Sequence, residues 1–169
     1  GWIVKSLRPT LLNKGVKTQS RGSFSVEEYR TIYTALRSYH KQTPNEKSAA
    51  TRETLRNYVL FLANTGVRHG TEALGLKWRN IEWYERDGKR YLAINVDGKT
   101  NKRTAIARDS VENSLWRQAK LNPRIAIVDF DGLIAAKLDE PVFTTRLCET
   151  ATVHNLNRAF NALLAELDL

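Results

Sequence analysis

The string Thr65-Gly66-Val67-Arg68-His69-Gly70-Thr71-Glu72 sets one arginine at a joint with glycine on both sides. Glycines let the backbone turn tightly, and a planar guanidinium held at such a corner presents a rigid fork that fits a phosphate. The competing role is structural: an arginine there can close the C-terminus of the preceding helix by bonding its last carbonyls. A second group, Asp97-Gly98-Lys99-Thr100-Asn101-Lys102-Arg103, crowds basic residues into the tip between two alternating segments. A hairpin of that kind can reach into a groove, with a lysine as point charge or proton donor beside a phosphate oxygen; the alternative is a solvated turn. Gly98-Lys99-Thr100 also ends like a nucleotide-binding loop. The first glycine of that motif falls on Ala93, and a strand follows where a helix N-terminus is needed, which excludes it.

The remaining reactive side chains read as structural. The single cysteine, Cys148, cannot form an internal disulfide, and with His154 it falls short of the three ligands a metal site needs, so no metal is expected. His69 reads as an exposed loop residue. Tyr29, Tyr33, Tyr39, Tyr58, Tyr84 and Tyr91 read as core or groove aromatics.

The elements that must position Arg68 and the hairpin follow from periodicity. Ser25 and Glu28 have the spacing of a capping box, and Val26, Tyr29, Ile32, Tyr33 and Leu36 recur helically, predicting a helix from about Val26 to His40. Leu55, Tyr58, Val59 and Leu62 predict a second from about Thr51 to Asn64, with Gly66 just past its end. A short third covers Thr71 to Leu76. The period then changes to two. Strands are predicted around Ile81 to Trp83, Tyr91 to Val96 and Arg103 to Ala107, with a turn at Arg86-Asp87-Gly88-Lys89. Helices return over Ser110–Leu121 and Val153–Leu167, and the stretch from Ile125 to Phe143 is ambiguous. The expected fold is therefore mixed α+β, a mainly helical domain with a small three-stranded antiparallel sheet.

Length and charge bound the function. The 169 residues suffice for one globular domain, and the longest apolar run, Tyr58 to Ala63, is too short to span a bilayer. Without a signal-peptide pattern or a cysteine pair, a cytoplasmic setting and no membrane partner are the default. The net charge is +9, and it is uneven: residues 129–169 carry three basic and seven acidic side chains, so the excess lies upstream. Residues 1–22 hold five basic residues and no acid, and read as a basic linker or arm, with Arg21 at its end; residues 23–169 read as the globular part. A basic field of this size suits a polyanionic partner, nucleic acid first, and on composition alone a surface kept basic for solubility fits equally well.

Together the two groups resemble the catalytic domain of tyrosine recombinases, the phage-integrase family. The family pattern of Thr-Gly-x-Arg, an acidic residue, then Leu-x-Trp-x-x-Ile is met by Thr65-Gly66-Val67-Arg68, Glu72 and Leu76-Lys77-Trp78-Arg79-Asn80-Ile81. A Lys-Thr pair on the second hairpin is matched by Lys99-Thr100, with Arg103 after it; Lys102 is the other candidate for the family lysine. The resemblance implies site-specific recombination and DNA integration. A tyrosine attacks a DNA phosphodiester, forms a 3′-phosphotyrosyl link and releases a 5′-hydroxyl, with no cofactor. It implies that Arg68 stabilises the nonbridging oxygens, that Lys99 protonates the leaving oxygen, and that Glu72, one position later than usual, supports Arg68 or favours a helix N-terminus. Arg21, Lys102 and Arg103 are expected to contact duplex DNA, and further recombinase protomers are expected partners of a full-length protein.

The resemblance has a gap. The family requires a His-x-x-Arg box and a nucleophilic tyrosine after the hairpin. The nearest approach is His154 and Arg158, four apart and expected to be surface or packing residues of a helix, and no tyrosine follows Tyr91. The expectation is a catalytic domain cut short before its second arginine, lacking an N-terminal DNA-binding domain, binding DNA but inactive alone. The rival expectation is a non-catalytic DNA-binding or regulatory module that kept the fold.

Overall fold

The computed structural model describes residues 23–98 and 102–169, so the basic arm with Arg21, and Lys99 with its two neighbours, lie outside the described residues. The chain runs as α1 (Val26–Leu36), a 3-10 turn (Tyr39–Gln42), α2 (Glu46–Thr65), α3 (Thr71–Leu74), a second 3-10 turn (Trp78–Asn80), β1 (Ile81–Arg86), β2 (Lys89–Asp97), β3 (Lys102–Ile106), α4 (Ser110–Leu121), α5 (Phe130–Ala135) and α6 (Val153–Glu166). The described fold is mixed α/β, with one antiparallel sheet in the order β1-β2-β3. No helix among the described residues is long and apolar enough to cross a membrane.

Local signals act where the sequence places them. Glu28 N–H donates to Ser25 Oγ at 3.1 Å and Ser25 N–H to the Glu28 carboxylate, closing the capping box of α1. The helix stops at Leu36, short of the expected His40, because tertiary contacts claim Tyr39. Its ring is fully buried beneath the Arg52 guanidinium, its hydroxyl donates to the Ala159 carbonyl, and its own carbonyl accepts from Arg52. α2 begins at Glu46, five residues before the expected start, with Asn45 accepting from Ser48 N–H as its cap. Its first turn is polar, so no apolar period announces it.

α2 is the central element. Over 20 residues, about 30 Å, it buries Leu55, Tyr58, Leu60 and Phe61 and packs against α1, α4 and α6. Two further links tie α4 to this core: Asn57 donates to Gln118, and Gln118 donates to the Thr144 carbonyl. The ambiguous stretch resolves into α5, capped by Asp129, and an extended piece at Pro141 that bridges Lys77. A helix of six residues is too short to carry a legible period.

In the sheet, Ile81 pairs with Ile94 and Trp83 with Leu92, while Val96 lies opposite Arg103 and Asp97 opposite Lys102. The period of two sends Ile81, Leu92, Ile94, Val96 and Ala105 into the core. Arg103 shares that inward face, and Lys102 takes the other. The β1–β2 turn is made by Asp87 and Gly88, both left-handed, in keeping with the twist of a two-residue hairpin.

Trp78 locks the segment before the sheet. Its ring is fully buried, and the backbone on either side is stitched to the 138–142 segment by Trp78 N–H to Glu140, Arg79 N–H to Leu138 and Val142 N–H to Leu76. Its indole N–H is buried with no acceptor among the described residues. Trp78→Ala is therefore expected to cost about 3–5 kcal/mol in urea unfolding followed by circular dichroism. Trp78→Phe keeps most of the volume and removes the unpaired donor, so it is expected to cost less than about 2 kcal/mol.

Candidate functional site

The C-terminus of α2 is shaped so that Arg68 emerges in one orientation. Gly66 caps the helix in the left-handed conformation, φ 66°, and donates to the Leu62 carbonyl. Thr65 Oγ1 donates back to Phe61 and accepts from Val67 N–H, which turns Val67 into the core. Gly70 then takes φ 89°, ψ −124°, a conformation essentially closed to residues with a Cβ. Between these two turns Arg68 and His69 face solvent.

A core tyrosine pins the loop from below. The Tyr58 hydroxyl accepts from Gly70 N–H at 3.2 Å and lies 2.8 Å from His69 Nδ1. The hydroxyl thus shares one hydrogen bond with the backbone and one with the imidazole, tying both ends of the 69–70 turn to the core. Tyr58 itself is buried edge-on against Phe143, and burial pushes its pKa up, so it stays a neutral hydrogen-bonding post. Neither partner was legible as such in the sequence, where Tyr58 reads as a core aromatic and His69 as a loop residue; their spacing matches no short-range pattern.

Glu72 joins the loop to the sheet. Its side chain is only 6 % exposed, and Oε2 accepts from Arg68 N–H at 3.0 Å and from Arg103 Nη2 at 2.8 Å. Its other oxygen, Oε1, lies 3.6 Å from Arg68 Nη1. The Arg68 N–H, then the Arg103 guanidinium, hold the Glu72 carboxyl below the usual glutamate range, outweighing burial. Glu72 thus bonds the Arg68 backbone and stands within ion-pair distance of its guanidinium. Arg103 also donates to the Gly66 carbonyl at 3.1 Å, so the arginine that closes the end of α2 is Arg103 rather than Arg68.

The outcome is a guanidinium with a fixed root and a free head. Arg68 remains 75 % exposed while Arg103, expected at the DNA surface, is 40 % exposed and turned toward Glu72. A depression lined by Arg68, His69, Thr71, Glu72, Asp97 and Gly98 brings the helix joint beside the β2–β3 hairpin, the two groups that stood out in the sequence. Lys102 lies at the base of the same hairpin, highly exposed and 3.8 Å from Asp97. His154 and Arg158 stand exposed on α6, and Cys148 is a free thiol in the preceding turn.

Because its folded pKa is depressed, Glu72 contributes stability above the unfolded value, about 4.3, and that contribution is lost as pH falls through the folded value. Glu82, through Asn95, and Asp139, through Lys77, share this direction, so the acid limb of wild type alone does not isolate Glu72. Glu72→Gln is expected to be less stable than wild type at neutral pH, with the gap closing as pH falls below the unfolded glutamate value in urea titrations; a gap independent of pH would show that the Glu72 charge does not matter.

The chain matches no family model, and neither the curated proteins nor the solved structures hold a significant match to it.

Proposed function

We propose that this chain is the Arg68-bearing part of a tyrosine recombinase catalytic domain and binds duplex DNA by its phosphate backbone. The observation that carries the reading is the exposed Arg68 guanidinium, its backbone bonded by the buried Glu72 and its head free beside the β2–β3 hairpin. A guanidinium positioned before substrate arrives can take two oxygens of one phosphate without reorganising. In the reaction this implies, a tyrosyl oxygen gives up its proton and bonds to phosphorus as the bond to the 5′-oxygen breaks, and that oxygen leaves with a proton from Lys99. Arg68 holds the charge that grows on the nonbridging oxygens.

The rival reading is a module that binds DNA without cutting it. The tyrosine that supports the Arg68 loop, Tyr58, already uses its hydroxyl for His69 and Gly70 N–H, and burial raises its pKa. It is suited to posture, not to attack. Both readings place phosphate on Arg68, and they part at the covalent step.

The experiment is duplex binding by this chain across a salt series. Binding is expected to weaken steeply with salt, and Arg68→Ala is expected to lower affinity and flatten the log–log salt slope by about 1, the value of one phosphate contact. Unchanged affinity and slope would overturn the reading. A nicked duplex carrying an attachment site, run on a denaturing gel with a form of the chain extended through a downstream tyrosine, separates the two readings. An adduct that vanishes with Arg68→Ala means a recombinase, and tight binding without adduct means a binding module.

A further inference from the structure

A cleft of about 670 Å³ lies at the opposite end of α2 from Arg68, between the start of α2 and α6. Ser48, Thr51 and Arg52 form its α2 wall, and Arg158, Ala159 and Ala162 line it from α6. On each helix these residues are three and four apart, so each set shares one face. Ser48, Thr51, Ala159 and Ala162 are too small to fill the space between the two helices, which leaves the cleft open. Tyr39 ties the walls together from beneath. Its ring is fully buried under the Arg52 guanidinium, which lies 3.9 Å from the ring centre, and Arg52 Nη1 donates to the Tyr39 carbonyl at 3.1 Å. The hydroxyl at the far end of the same ring donates to the Ala159 carbonyl at 3.2 Å. The Arg52 guanidinium and the α6 backbone next to Arg158 are therefore held one tyrosine side chain apart.

The lining carries an excess of positive charge. Lys47, Arg52 and Arg158 stand against a single carboxylate, Glu149, which lies 3.3 Å from Lys47 Nζ, so two positive charges are left over. The neighbouring acids do not line the cleft: Glu46 and Glu53 are ion-paired with Arg146, and Glu53 also faces His40. Glu166 on α6 is close enough to act on the Tyr39 hydroxyl but lies beyond the lining. A phosphate monoester carries about −1.5 to −2 at pH 7 and matches this excess, whereas a diester carries one charge and leaves part of it unmet. Its oxygens also suit the fork of a guanidinium, and Arg52 is already pinned on Tyr39 with only Nη1 engaged, so little side-chain freedom remains to be lost. Ser48 and Asn155 add a hydroxyl and an amide, and Ala159 and Ala162 offer apolar surface for carbon atoms. The volume falls in the range of small-molecule sites.

We propose that the cleft between α2 and α6 binds a small phosphate monoester, with the phosphoryl group between Arg52 and Arg158 and the carbon part on Ala159 and Ala162. The site shares no residue with the Arg68 depression and stands independently of the recombinase reading. It also gives a role to Arg158, which the recombinase pattern leaves without one.

The test adds phenyl phosphate to this chain at constant ionic strength in chloride and follows the methyl resonances of Thr51, Ala159 and Ala162. They are expected to shift and saturate in wild type and in Arg68→Ala alike. Arg158→Gln changes an exposed side chain, so the fold is expected to survive, and the half-saturating concentration is expected to rise about tenfold, the loss of one charge-assisted hydrogen bond. Glu149→Gln removes the carboxylate that competes with the ligand and is expected to lower that concentration about threefold, a gain that a damaged fold does not produce. Methyl phenyl phosphate, the singly charged diester, is expected to bind about tenfold more weakly than the monoester. The absence of a saturating shift overturns the proposal, as does a half-saturation that Arg158→Gln leaves unchanged or that Glu149→Gln does not lower, or a diester that binds as well as the monoester. Shifts of the same resonances with a short duplex and none with phenyl phosphate also overturn it, and assign the cleft to the DNA backbone.

Discussion

A carboxylate withdrawn from water must be met by donors, and the Glu72 carboxylate is met from two directions at once. From its own loop it takes the Arg68 N–H, and from β3 it takes the Arg103 guanidinium. The joint between α2 and α3 and the edge of the sheet are thereby held in one relation. If either donor were withdrawn, a charge that is almost fully covered would be left short of partners, and such losses are costly. The same contact explains why Arg103, whose strand neighbour Ala105 and cross-strand partner Val96 face the core, carries a charge inward: it has somewhere to put it.

The loop above Glu72 is fixed twice more, and each fixture uses a different kind of force. Gly66 and Gly70 supply backbone conformations that let a 20-residue helix stop and a short one start within a few residues. Tyr58 supplies a hydroxyl from the core, held in place by apolar packing on Phe143 and kept neutral by its burial. Arg68 inherits this rigidity at its backbone while one of its nitrogens rests loosely on Glu72, at a distance too long for a strong hydrogen bond. Its terminal donors are therefore oriented without being used up, the condition for binding an anion without prior rearrangement.

How much of this was legible in the sequence depends on whether the deciding contact is local. The capping box at Ser25, the bounds of α4 and the two hairpins are set by residues within a few positions of one another, and they stand where the pattern puts them. The start of α2 escaped because its first turn is polar, and α5 because six residues hold too little periodicity. The end of α1 was decided by Tyr39 meeting Arg52 and α6, a contact between distant parts of the chain. At the site, Arg68 and Glu72 could be picked out by type and spacing. The inward turn of Arg103 was implicit in the strand alternation, but only a settled β2–β3 register reveals that it reaches Glu72. The bond from Tyr58 to His69 had no sequence signal at all, because it depends on the backbone turn that Gly70 makes.

At the α2–α3 joint two guanidiniums share one carboxylate, so a single positive charge remains and it is aimed outward on Arg68. This arrangement is stable empty and ready to be filled, because its internal ion pair offsets much of the electrostatic cost. A ligand that binds only the folded state stabilises it by mass action, and an anion on Arg68 would stabilise the end of the central helix from which Arg68 is hung.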